Sequence, residues 1–241
     1  MERSSSFSYT CNQCGLCCRD KVITLSPYDV MRIARAAGIS TSEAVRKYTL
    51  RRGSLFKFRD EGSCVALEGT ACTIHQGRPL ACRLYPLGLQ RTPDGAESFI
   101  RLEPASGSLG IYGVNGTIAD FLEPQGVRKY LDANEAYRKL IPLMRERIAA
   151  LVDFETVEPR EFERAAIREA LTEANFDPNP LIDALFDPDG HGCSRASLDT
   201  TVTAHLAVLE AIIRAEERPA ILATAAALLA VSLGYAPRSG G

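Results

Sequence analysis

Hydrophobic and polar positions change rhythm along this chain. Near the start, "SPYDVMRIARAAG" spaces its apolar residues as one face of a helix. Ser26 serves as N-cap, Pro27 takes the first position, Asp29 the third, and Gly38 closes it. "STSEAVRKYTLRR" predicts a second short helix, capped by Ser40 or Thr41. Before them, Val22 to Leu25 is a short β-branched stretch. From Leu55 to Glu103 the helical spacing disappears, and runs such as "LFKF", "CVAL", "CTI", "LGLQ" and "SFIRL" are broken by Gly, Pro and Asp. That pattern predicts small antiparallel strands and loops. "SGSLGIYGVNGT" predicts a glycine-rich connecting loop. It lacks P-loop spacing and a following Lys, and leads into a helix that Thr117 can cap with Asp120 three residues later. Beyond residue 125 the spacing is helical almost throughout: about 126–139, 143–153, 159–175, 180–186, 198–217 and 219–233.

These elements imply an α+β fold. A small cysteine-rich front with two helices and short antiparallel strands (1–120) precedes a helical C-terminal region (121–241). No internal repeat or low-complexity tract is visible.

Composition adds little until charge is divided along the chain. The 241 residues are 46% hydrophobic and 24% charged, an ordinary globular balance. The first ten residues contain no apolar run of the signal-peptide kind, and the longest apolar stretch, Pro219 to Ala236, is interrupted by Thr224, Ser232 and Gly234. It reads as an Ala-rich buried helix, so the expectation is a cytoplasmic protein with no membrane segment. Residues 1–101 carry 15 Lys/Arg against 9 Asp/Glu, and residues 102–241 carry 13 against 21. The front cations are scattered apart from Arg46, Lys47, Arg51 and Arg52, which argues against a nucleic-acid footprint. Cations at the front could instead offset the charge of thiolates.

Seven of the eight cysteines lie in the first 82 residues: Cys11, Cys14, Cys17, Cys18, Cys64, Cys72 and Cys82. In a reducing compartment such density points to metal binding or redox work more than to disulfides. Cys11, Cys14 and Cys17 have the C-x2-C-x2-C spacing of the first three ligands of ferredoxin-type iron–sulfur loops. Zinc commonly takes two C-x2-C knuckles, and the later cysteines, spaced by eight and ten, supply no second one. Adjacent Cys17 and Cys18 tend to point apart. Seven thiols therefore divide as four around one centre and three over, the three being an open metal site or structural residues. Arg78 and Arg83 flank Cys82 and are candidates to tune a bound cofactor or clamp an anion, with ion pairing as the alternative. His75 could complete a C-x2-H knuckle or simply pack. His191 and Cys193 lie in a "DPDGHGC" turn that reads as an exposed loop, His205 reads as a core histidine, and Tyr85 as a packing residue.

The whole array, C-x2-C-x2-C-C, a lone Cys64, then "CTIH", "RP" and "CRLYP" over residues 72–86, resembles the CxxCxxCC cysteine-cluster family, the YkgJ-like zinc- or iron-chelating domain. The likeness covers about residues 9–90 and continues weakly through the glycine-rich loop and "GTIADFL". It implies metal binding by all seven cysteines. The family places a His or aromatic residue at position 75, which argues against a strict ligand role there. Flagellin lysine N-methylases share the array and are linked with an iron–sulfur cluster and methyl transfer. Among the two metals the spacing favours a [4Fe–4S] cluster, held by Cys11, Cys14, Cys17 or Cys18, and Cys82. Zn²⁺ is the alternative, in a structural role with the helical region binding a partner. A third reading is a lysine methyltransferase-like enzyme whose acidic back recognises a basic protein surface. No Rossmann G-x-G-x-x-G supports a methyl-donor site of that type.

Overall fold

The computed structural model describes residues 1–50, 53–92, 96–162, 164–165 and 197–233. Among them the fold is mixed α+β, with short antiparallel strand pairs in front and helices behind.

Helix α1, Pro27–Ala37, starts as its sequence requires. Ser26 Oγ accepts from Asp29 N, while Asp29 Oδ2 accepts from Ser26 N at 2.8 Å and Ser26 Oγ at 2.7 Å, and Gly38 ends the helix at φ 67°. Asp29 also reaches beyond its own helix. Its Oδ1 accepts the backbone N–H of Leu80 at 2.7 Å, fixing the first residue of α3, Leu80–Leu84. The side chain that caps α1 thereby holds the segment carrying Cys82. Where the turn His75–Gly77 packs on α1, a Cβ at Gly77 would fall 2.1 Å from Arg32 O, so only glycine permits the approach.

Helix α2, Thr41–Tyr48, is capped by Ser40 and is shorter than its polar–apolar pattern predicts. Thr49–Leu50 leave it as β2 and pair with β3, Leu55–Phe56. Strand β4, Leu67–Glu68, pairs with β5, Ala71–Cys72, and β6, Leu87–Arg91, with β7, Glu97–Arg101. The glycine-rich segment corrects the sequence reading. Ile111–Thr117 is not a loop but strand β8, paired antiparallel with β1, Ser6–Thr10. Gly113 serves closeness, since a Cβ there would lie 2.6 Å from Ser8 Oγ, whereas Gly116 takes a left-handed φ of 98°. The helix after it, α4, Ile118–Leu122, has the Thr117–Asp120 capping box that the sequence predicts.

Helices α5, Val127–Arg138, and α6, Leu140–Leu151, follow almost without a break. α6 begins ahead of Pro142, not behind it, because proline in a first turn removes an N–H that has no helical acceptor. Helix α7, Leu198–Ala215, and α8, Pro219–Ser232, complete the described part. No helix among the described residues is long and apolar enough to cross a membrane. The expected helix at 180–186, most of that at 159–175, and His191 and Cys193 lie outside the described residues.

Among the described residues three apolar cores result. The first joins Ile23, Leu25, Val30, Ile33, Val45, Tyr48, Phe56, Leu67 and Ile74 around Cys64. The second gathers Phe7, Leu84, Leu87, Phe99, Ile118, Leu122, Val127 and Leu131. The third lies between α1 and the helices behind it, where Tyr28 and Met31 meet Tyr130, Tyr137, Met144, Val202, Leu209 and Leu222. α1 therefore has two buried faces, one toward the cysteines and one toward the helices. His205 is fully buried in the third core, its Nδ1 2.6 Å from Tyr137 Oη, as a core histidine should be.

Asp29→Ala removes the carboxylate half of the capping box and leaves the Ser26 and Leu80 amides without their acceptor. The expected loss is about 2–4 kcal/mol, read from urea unfolding, with Asp29→Asn losing less because it keeps one acceptor for Leu80.

Candidate metal centre

The cysteine loop follows β1. Gln13 (φ 50°) and Gly15 (φ 73°) turn it back on itself, and Leu16–Cys18 form a single 3₁₀ turn. Left-handed backbone at the non-glycine Gln13 is a strained choice, held here at the head of the thiol cluster. The far end of the loop is stitched to the Cys64 segment: Asp20 N donates to Gly62 O at 2.9 Å and Cys64 N to Cys18 O at 2.8 Å. Leu67 N then donates to Cys64 O at 3.0 Å, and Leu67 stands opposite Cys72 in the β4–β5 pair. By this route cysteines 46 and more residues apart share one core. Cys64 is buried in it, and Cys18, Cys72 and Cys82 are partly buried against it. Cys11 is exposed, while Cys14 and Cys17 are half-buried on the loop. The seven are free thiols, and Cys17 Sγ lies 3.9 Å from Cys18 Sγ.

Backbone amides are aimed at several of these sulfurs. Ala66 N donates to Cys64 Sγ at 3.4 Å. The Ile74 amide serves Cys72 in the same way, and Cys14 receives the amides of Leu109 and Leu16 and the Ser108 hydroxyl. For Cys14, Cys64 and Cys72 the donor two residues on is used each time. The Cys64 turn is held in that shape by Arg59. Its guanidinium donates to Ser63 Oγ and Cys64 O at 2.9 Å, Val65 O at 3.1 Å and Leu67 O at 3.2 Å. With the carbonyls turned toward Arg59, the amides are left to face the sulfur.

Burial and charge act on the thiols in opposite directions. Burial pushes Cys64, Cys72 and Cys82 up, so they are protonated in the metal-free protein. The hydrogen bond between Cys17 and Cys18 pulls Cys17 down to about 7 and drives Cys18 up, so Cys17 is the first of the two to ionise. Cys14 is lowered, chiefly by the Leu109 amide. Among the described residues no group of three or more His, Cys, Asp or Glu side chains is already arranged to hold a metal ion. The thiols converge within electrostatic reach of one another, and a metal must both draw them in and displace their protons.

Of the two flanking arginines, the structure separates the roles. Arg83 is buried, lies over the Tyr130 ring at 4.9 Å, and donates to Arg78 O at 3.0 Å and to the carbonyls of Gln125 and Gln76 at 2.6 Å. Its donors hold backbone and do not reach a sulfur. Arg78 sends one nitrogen to the Gln125 side chain and the other to the His75 ring, 2.7 Å from Nε2, and its charge acts on Cys82 and Cys72. His75 is thus engaged by Arg78, and burial together with that cation lowers its pKa and keeps the ring neutral. Beside the loop, Tyr9 and Tyr85 meet edge to face at 5.9 Å and Tyr9 and Tyr112 at 5.1 Å, with Tyr112 Oη donating to Leu102 O at 3.1 Å. Burial raises Tyr85 to about 12 and Tyr9 further, so both are neutral hydroxyls. Arg59, Tyr9 and Tyr112 carry no spacing signal in the sequence that would have singled them out.

Residues 10–103, less than half of the chain, match the CxxCxxCC family, whose description is "Putative zinc- or iron-chelating domain". The resemblance read from the cysteine array therefore holds over these residues, and it supports metal binding by this segment. An uncharacterized protein of Methanocaldococcus jannaschii is 30% identical over 90 residues, which is 36% of this chain and 48% of that protein. The match spans about half the length of that relative. No solved structure matches the chain.

Because buried thiols must lose protons to become ligands, metal affinity should rise with pH. Competition titrations with zinc between pH 6 and 8 are expected to show release of on the order of two or more protons per bound ion, with binding weakening as pH falls. An affinity flat across this range would mean that the buried thiols are not the ligands.

Proposed function

We propose that the front of the chain is a thiolate metal-binding module and that the group it holds is a [4Fe–4S] cluster. The observation that supports this is the meeting of cysteines from four separate segments around one core, with amides pre-aimed at three of the sulfurs. Sulfur-only donors suit iron–sulfur clusters and zinc far better than magnesium, calcium or manganese. The residues fit such a group. Amide hydrogen bonds favour the thiolate form of Cys14, Cys64 and Cys72, and the apolar side chains around Cys64 restrict water. Arg78 places a fixed cation beside Cys72 and Cys82, partly offsetting the added negative charge. A cluster bound here would supply one-electron transfer. The acidic helical region, with 19 Asp/Glu against 13 Lys/Arg in residues 121–241, suits a basic protein partner or substrate.

One distance favours zinc as the second reading. At Zn–S of about 2.3 Å, two thiolates on one tetrahedral ion stand about 3.8 Å apart. Cys17 and Cys18 are separated by 3.9 Å, whereas ligands of a cluster bind different irons and stand further apart.

Anaerobic purification followed by visible absorption and assay of iron, zinc and sulfide distinguishes the two. The cluster reading predicts a brown protein with a broad band near ~400 nm and about four irons and four sulfides per chain. A colourless protein with tightly held zinc and no sulfide would overturn it in favour of the zinc reading.

A further inference from the structure

Three arginines converge on the turn His75–Gly77, and none of them has a carboxylate partner. Arg32 Nη2 and Arg83 Nη2 donate to the same carbonyl, Gln76 O, at 2.9 and 2.6 Å. Both guanidinia also lie against one ring, Tyr130, at 5.9 and 4.9 Å from its centroid. Arg78 is drawn into the group by its backbone oxygen, which accepts from Arg83 Nε and from the Tyr130 hydroxyl, each at 3.0 Å. Among the described residues no ion pair involves Arg32, Arg78 or Arg83. Asp29 lies within electrostatic reach of Arg83, but both its oxygens are occupied by Ser26 and Leu80.

Donors in this group are unmet. Arg32 Nε is buried and has no acceptor. Arg78 engages His75 and Gln125 through its two terminal nitrogens and leaves Nε unused. Burial, and after it the charge of Arg83, lower the pKa of Arg78, so the cations are held together against their repulsion. A buried charged donor without an acceptor adds a further cost. The thiols answer only part of this charge: Arg78 acts on Cys72 and Cys82, whereas Arg32 stands on α1 beside Tyr28 and Gln76.

We infer that Arg32 and Arg78, with the charge of Arg83 beside them, form a binding site for a small oxyanion of the phosphate class. The planar fork of a guanidinium matches two oxygens of such an anion, and three cations suit a doubly charged one. The site goes beyond the metal reading, because its donors are arginines, and it holds for either metal.

The test is calorimetric titration of the metal-loaded full chain with inorganic phosphate, at an ionic strength matched with chloride. Saturable binding of one phosphate per chain is expected. Arg32→Ala should weaken it about tenfold, and Arg32→Lys, which keeps the charge and loses the fork, should recover part of that loss. Both variants should keep the metal content and far-ultraviolet circular dichroism of the parent. Arg128→Ala, at an exposed arginine paired with Asp132, should bind phosphate as the parent does. O-phosphoserine as a second probe separates the sources: tighter binding than phosphate marks a phosphate carried on a larger molecule, and weaker binding marks the free ion. No saturable binding, or binding unchanged in Arg32→Ala, would overturn the site. Phosphate binding that metal loading abolishes would also overturn it, since the thiolates would then be what the arginines serve. A chain that takes up no metal and still binds phosphate through Arg32 would sustain the site while overturning the metal reading.

Discussion

The constraint on which the front half depends is that its core is partly made of thiols. Each sheet among the described residues is a single pair of strands, and an isolated two-stranded ribbon is barely stable in water. What closes the front is therefore the cluster around Cys64, where Cys18, Cys72 and Cys82 pack among valine, isoleucine and aromatic side chains. Protonated, these thiols behave as small hydrophobes; ionised, they are tolerated only if a cation shares their burial. A metal bound as proposed would resolve that conflict by neutralising its ligands and cross-linking four segments at once.

Three charged side chains hold the backbone around the thiols. Asp29 caps α1 and anchors the amide of Leu80, Arg59 holds the carbonyls of the Cys64 turn, and Arg83 ties Gln76, Arg78 and Gln125 together across Tyr130. Each has its charge distributed over several backbone dipoles, so the neighbouring loops take up fixed shapes despite having little regular structure. The third core then connects this arrangement to the helices, since α1 contributes Val30 and Ile33 to one side and Tyr28 and Met31 to the other. A displacement of the helices would thus reach the cysteines through α1 and through the contact of Arg83 and Arg78 with Tyr130.

How much of this was legible in the sequence depended on how local the signal was. Caps and periodicity placed α1, α4, α5, α7 and α8 closely, and the start of α2, because Ser26–Asp29 and Thr117–Asp120 state their hydrogen bonds within four residues. Strand β8 was missed because its glycines looked like turn residues, and the reason for Gly113 is Ser8, more than a hundred positions away. The set of cysteines was plain from spacing, but their grouping was not. Adjacency suggested that Cys17 and Cys18 point apart, whereas their sulfurs lie 3.9 Å from one another. Arg83 likewise looked like a partner of Cys82 because it follows it in sequence, yet one residue further along a helix is about 100° around, and its guanidinium points to backbone carbonyls.

The central claim is that bound metal closes the thiol-bearing front while the helices stand on their own packing. Amide hydrogen exchange of the full chain, with and without chelation, tests it most directly. The account predicts that removing metal abolishes protection in residues 16–24 and 62–84 while α6, α7 and α8 keep theirs. Unchanged protection around Cys18, Cys64 and Cys72 after complete metal loss would contradict it.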